Sequence, residues 1–76
     1  MDAAIFLGLK YKKLILTLAE ACEELGMALG TAHNKIGRGT FPVPSRIAGK
    51  SRVVDVRDLA EYIDREREHA RQAFGI

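Results

Sequence analysis

Apolar and polar positions along this chain fall into short runs whose period changes several times. The first, Asp2 to Tyr11, is apolar and closes on a basic patch, Lys10 to Lys13. It is too brief for periodicity to choose between helix and strand, so both stay open. Leu14-Ile15-Leu16 has the hydrophobicity and bounds of a short buried strand. A helix follows. Thr17 stands three residues before Glu20, the spacing of a capping box, in which each residue satisfies the other's free amide. Leu18, Ala21, Cys22 and Leu25 then share one helical face, with Glu20, Glu23 and Glu24 mostly on the other. Gly26 is placed to end this helix in a left-handed cap.

After Gly26-Met27-Ala28 a second helical pattern begins near Leu29. Leu29, Ala32 and Ile36 share a face, while Gly30, Thr31, His33, Asn34 and Lys35 point elsewhere, and Gly37 and Gly39 finish it. Two short helices joined by a brief turn form a helix-turn-helix pattern. The prolines of Phe41-Pro42-Val43-Pro44 force an extended path. Ser45 to Ala48 and Arg52 to Val56 flank Gly49-Lys50-Ser51, which predicts a hairpin with glycine in its turn. Asp55 is a good N-cap for a last helix, and Asp58 puts negative charge in its first turn. Leu59 and Ile63 face inward with Val56 and Ala60 alongside. Glu61 with Arg65, Asp64 with Arg67, and Glu68 with Arg71 are opposite-charge pairs, each adding ~0.2–0.5 kcal/mol on an exposed helix. The apolar stripe continues through Ala70 and Phe74, which can dock on the body, form a dimer seam or fray.

Composition narrows the class. The chain has 76 residues, 47% hydrophobic and 29% charged, the balance of one small globular domain with a marginal core. It is short for an enzyme with its own substrate cleft, so no catalytic activity is expected. One cysteine permits no internal disulfide, which suits a cytoplasmic protein. No apolar run approaches the ~20 residues of a membrane span, and the start has no basic segment ahead of its apolar run, so neither membrane insertion nor a signal peptide is expected. Cys22 lies on the apolar face of its helix and reads as a buried structural thiol. Two histidines and one cysteine without zinc spacing predict no metal, and no glycine-rich phosphate loop predicts a nucleotide, so no cofactor is expected.

Charge changes the picture more. The net charge is only +2, yet His33 to Arg57 holds Lys35, Arg38, Arg46, Lys50, Arg52 and Arg57 against Asp55 alone, a local +5. Thr17 to Met27 holds −3 and Asp58 to Ile76 holds −2. A basic middle third on a nearly neutral chain predicts a face that attracts a polyanion. A basic hairpin directly after a helix-turn-helix is a wing, which lies along the DNA backbone while the second helix enters the major groove.

The runs Leu16-Thr17-Leu18-Ala19-Glu20-Ala21-Cys22, Gly39-Thr40-Phe41-Pro42 and Val54-Asp55-Val56-Arg57-Asp58-Leu59-Ala60-Glu61-Tyr62-Ile63-Asp64, with Gly26 and Thr31 between, resemble the pyocin activator family of small prophage regulators. They are also similar to the broader AlpA-like and excisionase-like winged helix-turn-helix proteins. The resemblance implies bacterial or phage-encoded DNA-binding proteins, associated with the nucleoid. Such proteins switch on prophage or bacteriocin genes, or bend DNA during excision. It also implies a recognition helix over about 29–38, whose usual serine or threonine cap falls at Ala28.

The expected fold is therefore α+β. It is a small winged helix-turn-helix domain of three or four helices plus a β-hairpin wing, with room for an extra short N-terminal strand. The whole chain, 1–76, forms one domain: helix-turn-helix over about 17–38, wing over about 43–56 and C-terminal helix over about 56–73. The expected partner is double-stranded DNA, bound as a homodimer or in tandem, with RNA polymerase or an integrase as further contacts. Asn34 can pair with adenine, and Lys35 or Arg38 can reach guanine or phosphate. Thr31 sits near a helix N-terminus, where phosphate binds, and His33 can meet a base edge. Arg46, Lys50 and Arg52 are the wing's phosphate candidates. Arg57, a cation in the first turn of a helix, opposes the dipole and hints at a phosphate partner. Lys10, Lys12 and Lys13 suit solubility as well as DNA. An activator is the leading reading. An excisionase-like bending factor is the alternative, and a protein-interaction module that has lost DNA binding is the rival of another class.

Overall fold

A computed structural model describes residues 2–75. In it the undecided apolar start is a helix, α1 (Ala3–Tyr11). The carboxylate of Asp2 caps it by accepting from the Ala4 amide at 2.9 Å. Only one side of α1 is covered: Leu7 is buried and Ala3, Ala4 and Tyr11 are half-buried against the body. At its end Lys12 adopts a left-handed φ of 56° and donates its amide to the Gly8 carbonyl. That reversal sends the chain into β1 (Ile15–Thr17).

The helix-turn-helix pair follows with the caps that its sequence calls for. In α2 (Leu18–Leu25) the Glu20 amide donates to Thr17 Oγ1 at 3.1 Å, and the Thr17 amide donates to Glu20 Oε1 at 2.9 Å. The hydrogen bonds to Thr17 and the ammonium of Lys13 together hold the Glu20 carboxyl below the usual range. Gly26 ends α2 at φ 67°, and the next amide, Met27, returns to the Cys22 carbonyl. The third helix, α3 (Leu29–Arg38), starts at Ala28, whose side chain offers no cap, and stops at Gly39 with φ 71°.

Two strands complete the sheet. β2 (Arg46–Ala48) and β3 (Ser51–Asp55) form the hairpin, and the sheet order is β1-β3-β2, all antiparallel. β1 adds to the far edge of β3 in the register Ile15↔Asp55, Leu16↔Val54, Thr17↔Val53. The extra strand foreseen before α2 is thus the third strand of the wing sheet. β3 ends at Asp55, one residue earlier than the sequence suggests, because Val56 already belongs to α4 (Val56–Ala73) and is buried. Asp55 caps α4, accepting from the Arg57 amide at 2.8 Å.

Leu16 and Val54, side by side on one sheet face, are fully buried with Leu59. Around them pack Leu18, Ala21 and Cys22 of α2, Ala32 of α3, and Val56 and Ala60 of α4. Burial pushes the Cys22 thiol pKa up, which keeps it protonated. α1 lies along the first half of α4 and is also tied to α2, where Tyr11 Oη donates to Glu24 Oε1 at 2.8 Å and Lys10 pairs with the same carboxylate. Beyond that half α4 leaves the body: from Asp64 to Gly75 every residue but Arg71 is exposed. Of the three ion pairs expected along α4, only Glu61–Arg65 is within reach, at 3.6 Å. Asp64, Arg67, Glu68 and Arg71 make no ion pair among the described residues. Among the described residues the result is an α+β domain of four helices and a three-stranded antiparallel sheet, the winged helix-turn-helix class expected.

Candidate nucleic-acid interface

α3 presents its polar residues by simple geometry. Ala32 is buried and Ile36 half-buried against the core. At 100° per residue the opposite side is centred on Asn34. Thr31, Asn34, Lys35 and Arg38, spaced i, i+3, i+4 and i+7, form one continuous stripe there. Thr31, Asn34 and Arg38 are exposed, and Lys35 is half-buried. His33, also exposed, does not join the stripe. It stands on the other flank, separated from Asn34 by Gly30 and Gly37.

These two glycines carry information that the sequence pattern did not. Neither has a positive φ, and a Cβ added at either meets nothing within 4 Å. No turn and no neighbour requires them, and each weakens a helix by roughly 0.5–1 kcal/mol relative to alanine. Between His33 and the Asn34 stripe they leave bare backbone facing outward. At the N-terminal end, the lack of a side-chain cap at Ala28 leaves the first amides of α3 without an acceptor of that kind.

The wing is arranged differently from the sequence grouping. Its turn has two residues, Gly49 and Lys50, and Ser51 already pairs with Ala48. Gly49 at φ 65° takes the first turn position, as a type II′ hairpin turn requires. A three-residue turn, Gly49-Lys50-Ser51, would have set Arg46 and Arg52 on one face. The shorter turn slips the register by one residue and pairs Arg46 with Val53 and Ile47 with Arg52. Since opposed residues share a face and neighbours alternate, Arg46 and Arg52 project from opposite faces of the hairpin. The single cationic wing surface expected from the sequence is therefore divided.

Each face has its own surroundings. Arg46 shares a shallow notch with Pro44, Ser45, Val53, Asp55 and Asp58, where two acids offset its field. Arg52 Nη1 donates to Ser45 Oγ at 3.0 Å, a contact that orients the guanidinium. Beside it Ile47 is 58% exposed, an apolar residue on the wing that no charge pattern would single out. Lys50 stands exposed at the tip between the two faces.

Arg57 is also corrected. Its Nε and Nη2 donate to the two Asp55 carboxylate oxygens at 2.9 and 2.7 Å. That bidentate pair holds the Asp55 carboxyl down at about 2. The cation that seemed misplaced at a helix start is accounted for by its own N-cap, so it gives no hint of phosphate. Lys10 and Lys13 are similarly engaged, with Glu24 and Glu20. Among the described residues no helix is long and apolar enough to cross a membrane, and no three His, Cys, Asp or Glu side chains gather as a metal site.

Comparison with known proteins agrees with this layout. Residues 15–67 match the helix-turn-helix domain family, from β1 through the helix pair and hairpin into the middle of α4. No curated protein and no solved structure matched the chain. With more than half of its length matched, the chain belongs to the helix-turn-helix domain family, which supports binding to double-stranded DNA.

Proposed function

We propose that this protein is a sequence-specific DNA-binding regulator of prophage type, most simply a transcription activator like the pyocin activator proteins it resembles. The observation that carries this is the outward face of α3. There Thr31, Asn34, Lys35 and Arg38 line up beside backbone bared at Gly30 and Gly37. A helix entering the major groove reads base edges with such side chains. The glycines let its backbone come closer to the duplex than any other residue would. Asn34 is the candidate adenine reader, with Lys35 and Arg38 on guanine or phosphate, and His33 reaches the opposite wall. Thr31 and the uncapped amides of α3 suit a phosphate oxygen.

In the wing, Arg52 and Lys50 are the stronger phosphate ligands and Arg46 the weaker, because Asp55 and Asp58 share its notch. A hairpin with cations on both faces suits insertion between two phosphate rows better than lying flat on one. The test is fluorescence anisotropy with promoter fragments from the protein's own host, followed by footprinting. Asn34→Ala should lower affinity for the cognate site by roughly 1–3 kcal/mol and relax preference at one base pair. Equal loss on all sequences would remove Asn34 as a reader. An isolated site upstream of a promoter supports the activator. Tandem sites beside an attachment site replace it with an excisionase-like architectural role. No shift with any fragment moves the protein to the interaction modules.

A further inference from the structure

The second half of α4 has no body to pack on, and apart from the Glu61–Arg65 pair its charges make no ion pair among the described residues. We infer that this segment is a self-association surface, closed by a second copy of the same chain in antiparallel order. The core stripe of α4, Val56, Leu59, Ala60 and Ile63, continues outward as Arg67, Ala70 and Phe74 on the same side of the helix. Phe74 is 83% exposed. Next to the point where α4 leaves the body, an apolar cleft opens between α1 and α4, lined by Phe6, Leu7 and Ile63 and rimmed by Asp64 and Arg67. The overhang thus carries an exposed aromatic ring, and the cleft beside it offers apolar walls that can receive one.

Charge order selects the occupant. Asp64, Arg67, Glu68 and Arg71 lie at i, i+3, i+4 and i+7, a stripe bordering the apolar one, and none makes an ion pair among the described residues. Read acid, base, acid, base, this stripe is complementary to its own reverse. Two antiparallel copies of α4 with a two-fold axis between Arg67 and Glu68 set each Asp64 against the second copy's Arg71. They also set each Arg67 against the second copy's Glu68. A two-fold interface repeats every contact, so all four residues of both chains find an opposite charge at one register. In that register Phe74 of each copy falls at the level of Glu61 to Ile63 of the other, where the cleft opens. A parallel pairing would oppose like charges at every step. The surface is built from residues of α1 and α4 and shares none with α3 or the hairpin, so it does not depend on the DNA-binding reading.

The test uses the full chain without DNA, by sedimentation equilibrium and multi-angle light scattering over a range of concentrations. The mass should rise toward twice the monomer mass and stop there. Phe74→Ala should weaken the dimer at least tenfold. Arg67→Glu and Glu68→Arg, each of which opposes like charges across the axis, should do the same. The double variant Arg67→Glu/Glu68→Arg restores opposition with reversed sign and should return the association to within a few-fold of the parent. Circular dichroism confirms that each variant keeps its helix. A monomer at every concentration up to millimolar overturns the inference and leaves the cleft to a different partner. So does a dimer indifferent to the single reversals, or a double variant as weak as the singles. DNA binding measured on the same variants separates a failure here from a failure of the proposed function.

Discussion

Gly26 and Gly37 make a test pair at the level of single residues. Gly26 sits at φ 67°, where a Cβ crowds the following carbonyl. Gly26→Ala should therefore destabilise the fold by about 1–2 kcal/mol. Gly37 lies in ordinary helical geometry with open space around it, so Gly37→Ala should stabilise by about 0.5–1 kcal/mol. Urea midpoints at unchanged m measure both. If the bare strip serves DNA, the stabilised Gly37→Ala protein should also bind more weakly. Stability and function then move in opposite directions at one site. Asp55 supplies a second residue-level prediction. Its carboxyl is held at about 2 by the Arg57 guanidinium, below its ordinary 3.8. The unfolded chain therefore takes up the proton first as pH falls. The stabilisation is complete above the unfolded value and is lost as pH drops from about 4 through 2. Asp55→Ala should remove that part of the acid transition, and the lost cap should cost about 1 kcal/mol at neutral pH.

At the level of elements, local chemistry was legible and pairing was not. Thr17 with Glu20, Gly26, Gly39 and Asp55 announce four helix boundaries, because a cap involves only residues within one turn. The missing cap at Ala28 is equally visible, and Ala28→Ser should raise stability by roughly 1 kcal/mol in thermal unfolding. α1 could not be told from a strand because both its faces are apolar: Leu7 is buried while Ile5 and Leu9 are 64% and 71% exposed. No period marks which side meets the core. The hairpin was recognisable from Gly49, but one residue more or less in its turn decides which face every side chain takes. That choice rests on how Val53 and Val54 fit against β1, a contact between segments far apart in sequence. The spacing of Ala32 and Ile36 shows in the sequence which side of α3 meets the core, and therefore that Thr31 and Asn34 face away from it. His33 was grouped with them only because adjacency in sequence hides a 100° step around the helix.

Taken whole, the molecule has a net charge of only +2, and five of its twelve Lys and Arg residues (Lys35, Arg38, Arg46, Lys50 and Arg52) stand on α3 and the hairpin. Binding to DNA should accordingly weaken steeply with salt, each phosphate contact adding about −0.9 to the slope of log K against log salt. Arg52→Ala and Lys50→Ala should each flatten that slope by about one contact, and Arg46→Ala by less, as titrations between low and physiological salt would reveal. A slope unchanged in all three variants would take the hairpin out of the interface.

One junction links these scales. β3 ends at Asp55 and α4 begins at Val56, with no residue to act as a joint, and the Asp55–Arg57 clasp stiffens the corner. α4 has 18 residues, a rod about 27 Å long at 1.5 Å per residue. A hairpin tilted by even a few degrees against a duplex therefore swings the far tip of that rod through several times the displacement at its root. The position of the end of α4 is therefore the most sensitive gauge on this chain of how the hairpin is seated.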